Sequence, residues 1–247
     1  MRLLLTNDDG IESLGLQILC QALAESHEVW VVAPETEKSG SSHAITLKDS
    51  IRVRAAGERR FSCRGTPADC VLISLLGLVP ASIDMVVSGI NHGPNLGTDI
   101  LYSGTAGAAR QGALMGKPSL ALSVGAYAPP FDFQCAADFT ARNLSVFREM
   151  WSDDHFLNIN FPNAKCAEAK PVITFPSRRI YRDELKTYAA PNQDLFCFIG
   201  GALPDAHPEE GSDCLVVSNG FISLSPIHVH PQNRDLIEEK YRGARFR

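Results

Sequence analysis

Short apolar runs alternate with helical stretches over residues 1–125, and this alternation constrains the fold more than any other feature of the sequence. Residues 3–6 and 28–33 have the length and composition of buried strands, whereas residues 13–26 carry apolar side chains at helical spacing. Strands that alternate with helices form a parallel sheet with helices on both faces. The sequence therefore predicts an α/β fold of three layers, Rossmann-like, around a mostly parallel sheet.

Helix and turn signals place the remaining elements. Thr66 has the features of a helix N-cap, since Pro67 occupies the first helical position and Asp69 lies in the first turn. Residues 219–220 (Asn-Gly) suit either a helix C-cap or a hairpin turn, and both alternatives stay open. We predict further strands at 84–88, 119–124, 157–161 and 221–229, a minor hairpin at 51–53 and 61–63, and further helices at 104–115, 136–151, 212–219 and 232–241.

The composition changes after Pro162. Residues 176–211 contain four prolines, a Gly-Gly pair and an acidic loop, with two short β runs near 187–189 and 195–199. These runs suit an extended C-terminal β arm of the kind that makes oligomer contacts, or an ordinary long surface loop, and composition favours neither. We divide the chain into an α/β catalytic core at 1–176 and a segment at 177–247 that supplies the arm, a strand and a terminal helix, within one structural domain.

The charge balance excludes some partners. Asp and Glu number 28 and Lys and Arg 23, so the formal net charge is −5, and a general nucleic-acid binder needs a basic face. We therefore expect no long nucleic acid as a partner, although a single small anion can still be held at one site. The chain lacks a run of about 18 apolar residues, so we expect no membrane span.

The seven cysteines and the amino terminus indicate the compartment. The cysteines are scattered, odd in number and without a CxxC pair, so we expect neither a disulfide framework nor a zinc ribbon, and mostly buried thiols in a reducing environment. The first apolar run is only three residues long, too short for a signal peptide. These features predict a cytoplasmic protein.

Polar turns follow the predicted strands at one edge of the sheet, where open α/β sheets bind their ligands. Asp8 and Asp9 directly follow the first strand, Ser39 lies in the loop after the second, and Asn91 follows the strand at 84–88. Two adjacent carboxylates repel each other unless a cation lies between them, and oxygen ligands favour Mg²⁺ or Mn²⁺. The alternative is a plain turn in which Asp8 caps the next helix. The matching polar turns on neighbouring strands favour the metal site.

A second polar group precedes the helix at 104–115. Ser103, Gly104 and Thr105 offer hydroxyls and free N–H groups at a helix N-terminus, which bind anions, although a plain N-cap is the commoner use of such residues. Gly40, His43 and His92 lie in the loops of the predicted site, and His228 lies near the end of the last strand, so all four are accessory candidates. The chain contains no GxxxxGK[ST], GxGxxG or GxSxG motif, which excludes a P-loop, a dinucleotide fingerprint and a nucleophile elbow.

Seven blocks of sequence follow one another in a characteristic order. They are LLLTNDDG at 3–10, VVAP at 31–34, SGSSHAIT at 39–46, GTPADC at 65–70, VVSGINHGPNLGTDILYSGTAGAA at 86–109, LNINFP at 157–162 and ISLSPIHV at 222–229. In this order they resemble the SurE family of metal-dependent 5′/3′-nucleotidases. The resemblance extends over nearly the whole chain and is weakest at 177–211. A departure follows VVAP, where the family often has an arginine two residues after the proline and this chain has Thr36, which leaves Lys38 as the nearest cation.

The resemblance implies a function and a site. It implies hydrolysis of nucleoside 5′- and 3′-monophosphates with one divalent ion per subunit (Mg, Mn or Co), and a homodimer or homotetramer built through the C-terminal arm. An exopolyphosphatase or broad phosphatase with the same site, and a non-catalytic nucleotide-binding module, are the alternatives. Carried over by position, the metal ligands are Asp8, Asp9, Ser39 and Asn91, with Asp8 and Asp9 also catalytic, and the phosphate contacts are Asn95, Ser103, Gly104 and Thr105.

Overall fold

The computed structural model describes residues 1–163, 166–207 and 209–231, so the helix predicted at 232–241 lies outside the described residues. The strands in the described part of the chain are β1 (Arg2–Thr6), β2 (Glu28–Pro34), β3 (Val53–Gly57), β4 (Arg60–Cys63), β5 (Met85–Asn91), β6 (Ser119–Val124), β7 (His155–Phe161), β8 (Pro171–Ile173), β9 (Arg179–Ile180), β10 (Asp183–Ala189), β11 (Leu195–Gly201), β12 (Asp205–Ala206) and β13 (Ile222–His228). Nine of these strands form the main sheet, in the order β3-β4-β2-β1-β5-β6-β7-β13-β8.

Helices cover both faces of this sheet, which confirms the predicted three-layer fold. The helices in the described residues are α1 (Leu14–Ala24), α2 (Pro67–Ile73), α3 (Gly104–Leu114), α4 (Phe133–Met150) and α5 (Asp213–Ser218). A π-type turn covers Ser74–Leu78, and 3₁₀ turns cover Gly97–Leu101 and Cys166–Glu168. Alternate residues of β1 point to opposite faces, so Leu3 packs with α1 and α4 on one side while Leu4 packs with α2 and α3 on the other.

Local signals fix two helix ends, the first as predicted and the second in favour of one of the two open alternatives. Thr66 and Asp69 form a capping box at the start of α2, with the Asp69 N–H donating to Thr66 Oγ1 at 3.0 Å and the Thr66 N–H donating to Asp69 Oδ2 at 2.9 Å. Gly220 has φ of +81° after α5, so the Asn219-Gly220 pair ends a helix and does not form a hairpin turn.

The last strand completes the sheet in an antiparallel direction. β13 lies between β7 and β8, antiparallel to β7 with Ser223 opposite Asn160, and parallel to β8. Because the paired residues of β13 and β7 are 63 to 73 positions apart in sequence, no local pattern predicts this register. The central strands β2, β1, β5, β6 and β7 are mutually parallel, so their carboxyl ends share one edge.

The segment after β8 carries a protruding hairpin. β10 and β11 pair antiparallel from Asp183–Gly201 to Ala189–Leu195, and every residue of both strands is exposed. The prediction of two β runs in this region is therefore confirmed, with longer strands than expected. The division of the chain at residues 176 and 177 stays a prediction.

One cysteine pair departs from the expectation of reduced thiols. Cys135 in α4 and Cys166 in a 3₁₀ turn form a disulfide, with Cα atoms 6.1 Å apart, whereas the other five cysteines are free. The two residues are 31 positions apart in sequence and meet because that turn packs against α4. The spacing of cysteines along the chain does not reveal this contact, and so the expectation was wrong for this pair.

Candidate metal and phosphate site

A cleft of about 190 Å³ opens at the carboxyl edge of the sheet, above β1 and β5. Three of the four predicted metal ligands line it, and Asp9, the fourth, lies beside it against His92. Two accessory candidates, Gly40 and His92, also line the cleft. The lining residues are Asp8, Ser39, Gly40, Asn91, His92, Asn95, Asp99, Tyr102 and Ser103.

Asp8 is held by the start of helix α3. Its Oδ2 accepts the N–H of Thr105 at 3.1 Å, and its Oδ1 accepts the hydroxyl of the same residue through a very short hydrogen bond. A Cβ on Gly104 would lie 2.9 Å from Asp8 Cβ and 2.7 Å from Ser41 Oγ, so only glycine allows this approach. The positive end of the α3 dipole therefore faces the Asp8 carboxylate and fixes its position.

This arrangement changes the roles expected of Gly104 and Thr105. Both donors of Thr105 are directed at Asp8, and neither residue lines the cleft, whereas Ser103 and Asn95 do. Ser103 also caps α3, since its Oγ accepts the Ala106 N–H at 3.0 Å. In this structure Gly104 and Thr105 position a carboxylate, and their contact with phosphate stays a prediction.

Asp9 lies next to Asp8 with few partners of its own. The His92 N–H donates to Asp9 Oδ2 at 3.3 Å, and His92 Nδ1 is 3.4 Å from Asp9 Oδ1. Burial and the charge of Asp8, against the hydrogen bond from the His92 N–H, together raise the pKa of Asp9 to about 7. Burial also raises the pKa of Asp8, against the hydrogen bonds from Thr105. Two buried carboxylates side by side are the arrangement that a divalent cation relieves.

The neutral donors of the site are oriented by their neighbours. Asn91 Nδ2 donates to the Gly93 carbonyl at 2.8 Å, which leaves Asn91 Oδ1 as the atom available to a cation. Ser39 Oγ donates to Glu37 Oε1 at 2.7 Å and keeps its lone pairs. Within the described residues no group of three or more His, Cys, Asp and Glu side chains could hold a metal, so a site here needs these neutral oxygens.

Asn95 is held by three buried polar residues that the sequence reasoning missed. Its N–H donates to Asn160 Oδ1 at 2.9 Å, its carbonyl accepts from Asn158 and Asn160, and its side-chain Nδ2 donates to Ser123 Oγ at 2.8 Å. Asn158 and Asn160 are two positions apart within a run, 156–161, that is otherwise apolar, and so they share one face of β7. Two asparagines at this spacing within LNINF were a signal for a functional role.

Two of the accessory histidines lie away from the cleft. His43 Nε2 is 2.9 Å from Gln111 Oε1 on α3, so this ring belongs to the packing of the loop on the helix. His228 pairs in register with His155 at the amino end of β7, and its Nδ1 is 4.0 Å from Asp154 Oδ2. Because β13 runs antiparallel to β7, it carries His228 to the edge opposite the cleft, and its expected accessory role is not supported.

The fold and the site place the protein among Rossmann-like α/β proteins whose central parallel strands end at a small oxygen-lined cleft. One carboxylate lines this cleft and a second lies beside it. A family model described as "Survival protein SurE" matches residues 3–183, and the chain belongs to the SurE family. This confirms the resemblance seen in the sequence.

Relatives cover nearly the whole chain. The "5'-nucleotidase SurE" of Syntrophomonas wolfei is 41% identical over 245 residues, covering 97% of this chain and 93% of the relative. That of Kosmotoga olearia is 40% identical over 242 residues, with 95% of each chain covered. A crystal structure of the SurE protein from Aquifex aeolicus superposes with a TM-score of 0.84 at 33% identity, covering 98% of this chain and 99% of that one.

We expect the metal-free protein to lose stability as the pH rises from about 4 to about 7. The pKa of Asp9 is about 7 in the folded chain against an ordinary value of 3.8. Folding therefore favours its protonated form, and the resulting stability is complete below about pH 4 and lost as the pH rises through about 7. Asp9→Asn, which has no charge to bury, should flatten this decline. Calorimetric melting temperatures in EDTA from about pH 4 to about pH 8 test this, and parallel curves for the two proteins would contradict it.

We also expect Asn160→Leu to impair the site from a distance. The substitution removes the acceptor for the Asn95 N–H and one donor to its carbonyl, both buried. It should lower the free energy of unfolding by about 1–3 kcal/mol, and kcat/KM by about tenfold or more through displacement of Asn95. Asn143→Leu on α4 is the control, since in the described part of the chain the Asn143 side-chain amide bonds the Phe139 carbonyl alone. Equal kcat/KM for the two variants would show that Asn160 does not position Asn95.

Proposed function

We propose that the protein is a divalent-metal-dependent phosphomonoesterase that hydrolyses nucleoside 5′- and 3′-monophosphates to nucleoside and phosphate. The observation that carries the proposal is the adjacent Asp8-Asp9 pair at a cleft with neutral oxygen ligands. Asp8 is fixed on the start of α3 and lines this cleft, and Asp9 lies beside it against His92. The name "5'-nucleotidase SurE" of its relatives agrees with this activity. A non-catalytic nucleotide-binding module would not need two adjacent buried carboxylates.

Asp8, Asp9, Ser39 and Asn91 would hold one divalent ion per subunit, Mg²⁺, Mn²⁺ or Co²⁺. The residues fit such an ion because they supply two carboxylates and two neutral oxygens, and because burial raises the pKa of both acids. When bound, the ion polarises a phosphoryl oxygen and lowers the pKa of a bound water. No Lys or Arg is among the described residues that line the cleft, so phosphate affinity should depend on the ion.

The side chains around the ion have separate tasks. Both oxygens of Asp8 accept hydrogen bonds from Thr105, so Asp8 would be a ligand held in a fixed position. Asp9 has weaker contacts and is the better acceptor for the proton of the attacking water. Asn95 and Ser103 face the cleft and would donate to the phosphoryl oxygens as charge develops on them. The alternative is attack by Asp8 to form an aspartyl phosphate, and the hydrogen bonds that Thr105 donates to both Asp8 oxygens would make this carboxylate a weaker nucleophile.

A substrate panel tests the proposed activity. Phosphate release is measured from nucleoside 5′- and 3′-monophosphates, p-nitrophenyl phosphate and polyphosphate. We expect the highest kcat/KM on a nucleoside monophosphate. Preference for polyphosphate would favour the exopolyphosphatase alternative, equal rates on all esters would favour a broad phosphatase, and binding of nucleotide without any release would favour a binding module.

The exposed hairpin of β10 and β11 supports a homo-oligomer, a dimer or tetramer, built through this arm. Leu185 pairs with Ile199 and Tyr188 with Phe196, and all four side chains are exposed. An isolated two-stranded hairpin is marginally stable in water, and a large exposed apolar patch marks an interaction surface. A second copy of this chain would cover the surface, and a nucleotide would be the small-molecule partner.

We expect Leu185→Glu to dissociate the oligomer. Leu185 is 67% exposed on the arm, and a buried glutamate at a covered position would lack a partner. Leu76→Glu changes a leucine that is 72% exposed outside the arm and serves as the control. Light scattering coupled to size-exclusion chromatography should give the mass of one chain, 26.8 kDa, for the first variant and a multiple of it for the second. Equal masses for both variants would exclude the arm as the interface.

The cellular location is part of the proposal. No helix in the described part of the chain is both long and apolar enough to cross a membrane. Five of the seven cysteines are free thiols, and we place the protein in the cytoplasm.

A further inference from the structure

A second cavity, of about 540 Å³, lies beside the cleft at the same edge of the sheet. The turns that follow β6 and β7 supply Ala126, Tyr127 and Asn163, and α5 supplies Cys214 and Val217. Ligands of open α/β sheets bind at this edge, and here the edge continues from β5 across β6 to β7.

The cavity and the cleft share a wall at two places. Pro94 and Leu96 line the cavity, whereas Asn95 between them lines the cleft. Asp99 lines the cleft and Arg179 lines the cavity, and Arg179 Nε is 3.1 Å from Asp99 Oδ2. A ligand with two parts could therefore place one part on each side of this wall.

The cleft and the cavity differ in size and in the chemistry of their linings. The cleft of about 190 Å³ is polar and small, below the range of about 300–1,000 Å³ usual for pockets that hold a whole ligand. The cavity of about 540 Å³ falls within that range, and its lining is mainly apolar. The cleft therefore suits a phosphoryl group with its cation, and the remainder of a nucleotide needs a neighbouring space.

Tyr127 gives the cavity an aromatic surface. The side chain is 50% exposed, and Arg179 donates from its guanidinium to the Tyr127 hydroxyl at 2.7 Å, so the ring is held at its polar end. A fixed and half-exposed ring offers a face on which a planar base can stack, and such stacking tolerates different bases.

We propose that this cavity is the nucleoside subsite and that Tyr127 stacks on the base, an inference that rests on the proposed nucleotidase function. Asn95 and the Asp99–Arg179 pair then lie between the phosphate and the nucleoside. Arg179 positions Tyr127, and Tyr127 determines the preference for nucleotides over other phosphomonoesters.

The test compares two substrates that share the phosphate but not the base. A nucleoside 5′-monophosphate and glycerol 2-phosphate are assayed with the full-length metal-loaded enzyme, and the ratio of their kcat/KM values is measured. Tyr127→Ala should lower this ratio about tenfold through a higher KM for the nucleotide. Tyr127→Phe keeps the ring and should hold the ratio within about threefold. The Tyr102 ring, 58% exposed at the rim of the cleft, is the matched comparison, and Tyr102→Ala should leave the ratio as it is.

A ratio of kcat/KM values that falls below that of the wild type in Tyr127→Ala alone supports the subsite. A fall only in Tyr102→Ala places the nucleoside on the other side of the cleft and overturns the proposal, as does an unchanged ratio in all variants. Tyr127→Phe separates loss of the ring from loss of the Arg179 contact, since a full tenfold fall in this variant would overturn stacking. A wild-type enzyme that hydrolyses neither substrate rejects the proposed function itself.

Discussion

Asp9→Asn should abolish phosphate release while the protein remains folded. The substitution removes one of two carboxylates that would hold the ion and the side chain best placed to accept a proton. Loss of a partner that only orients a metal ligand typically costs about 10–100-fold, so loss of the ligand itself should lower kcat/KM by about a thousandfold or more. Initial rates at saturating Mg²⁺ and Mn²⁺ measure this.

Asp8→Asn should be as inactive but less stable. In the wild type the Thr105 N–H and hydroxyl both donate to the Asp8 carboxylate. The asparagine side-chain nitrogen would face one of these donors, so the variant should melt at a lower temperature than the wild type. Asp138→Asn is the control for both, since Asp138 is an exposed residue of α4 whose side chain, within the described residues, accepts a hydrogen bond from Gln134 alone. The assignment of the site would be wrong if either Asp8→Asn or Asp9→Asn turned over nucleotide as fast as Asp138→Asn.

Gly104→Ala should also cause a large loss of activity, although it adds only one methyl group. The new Cβ would lie 2.9 Å from Asp8 Cβ and 2.7 Å from Ser41 Oγ, so either Asp8 or the start of α3 must move. Because a displacement of about 1 Å at a reacting centre can cost about a hundredfold in rate, we expect a fall of that size in kcat/KM. Apparent affinity for Mn²⁺, measured by calorimetry, should fall with it.

The control for this substitution is Gly200→Ala. A Cβ at Gly200 meets no atom within 4 Å, and that glycine lies in the arm, far along the chain from the cleft. If Gly104→Ala retained wild-type kcat/KM and Mn²⁺ affinity, the close approach of α3 to Asp8 would not be required for catalysis.

The periodicity of the sequence was enough to predict the central strands and the layers. Local rules sufficed there because a buried parallel strand is a mainly apolar run in sequence, as in residues 119–124. A capping residue such as Thr66 likewise acts within one turn of its helix. The pairing of β13 with β7 and the Cys135–Cys166 bond depend on contacts between distant segments, which no local pattern encodes.

For the site, the sequence indicated which residues meet but not what each one touches. The polar turns brought Asp8, Ser39 and Asn91 to one cleft, as expected from parallel strands that end at one edge. Side-chain direction decided the rest, since Thr105 points at Asp8 and not into the cleft. His228 was a misleading candidate because its position depends on the direction of β13, which was unknown.

The acidic net charge of −5 is compatible with a phosphate site because a divalent ion would offset two of the acids locally. The most direct measurement is therefore phosphate release from a nucleoside 5′-monophosphate by wild-type protein stripped with EDTA, before and after addition of Mg²⁺, Mn²⁺ or Co²⁺. We expect no release above background in EDTA and recovery that saturates at one ion per chain. Release in EDTA at the same rate as with metal would contradict this expectation.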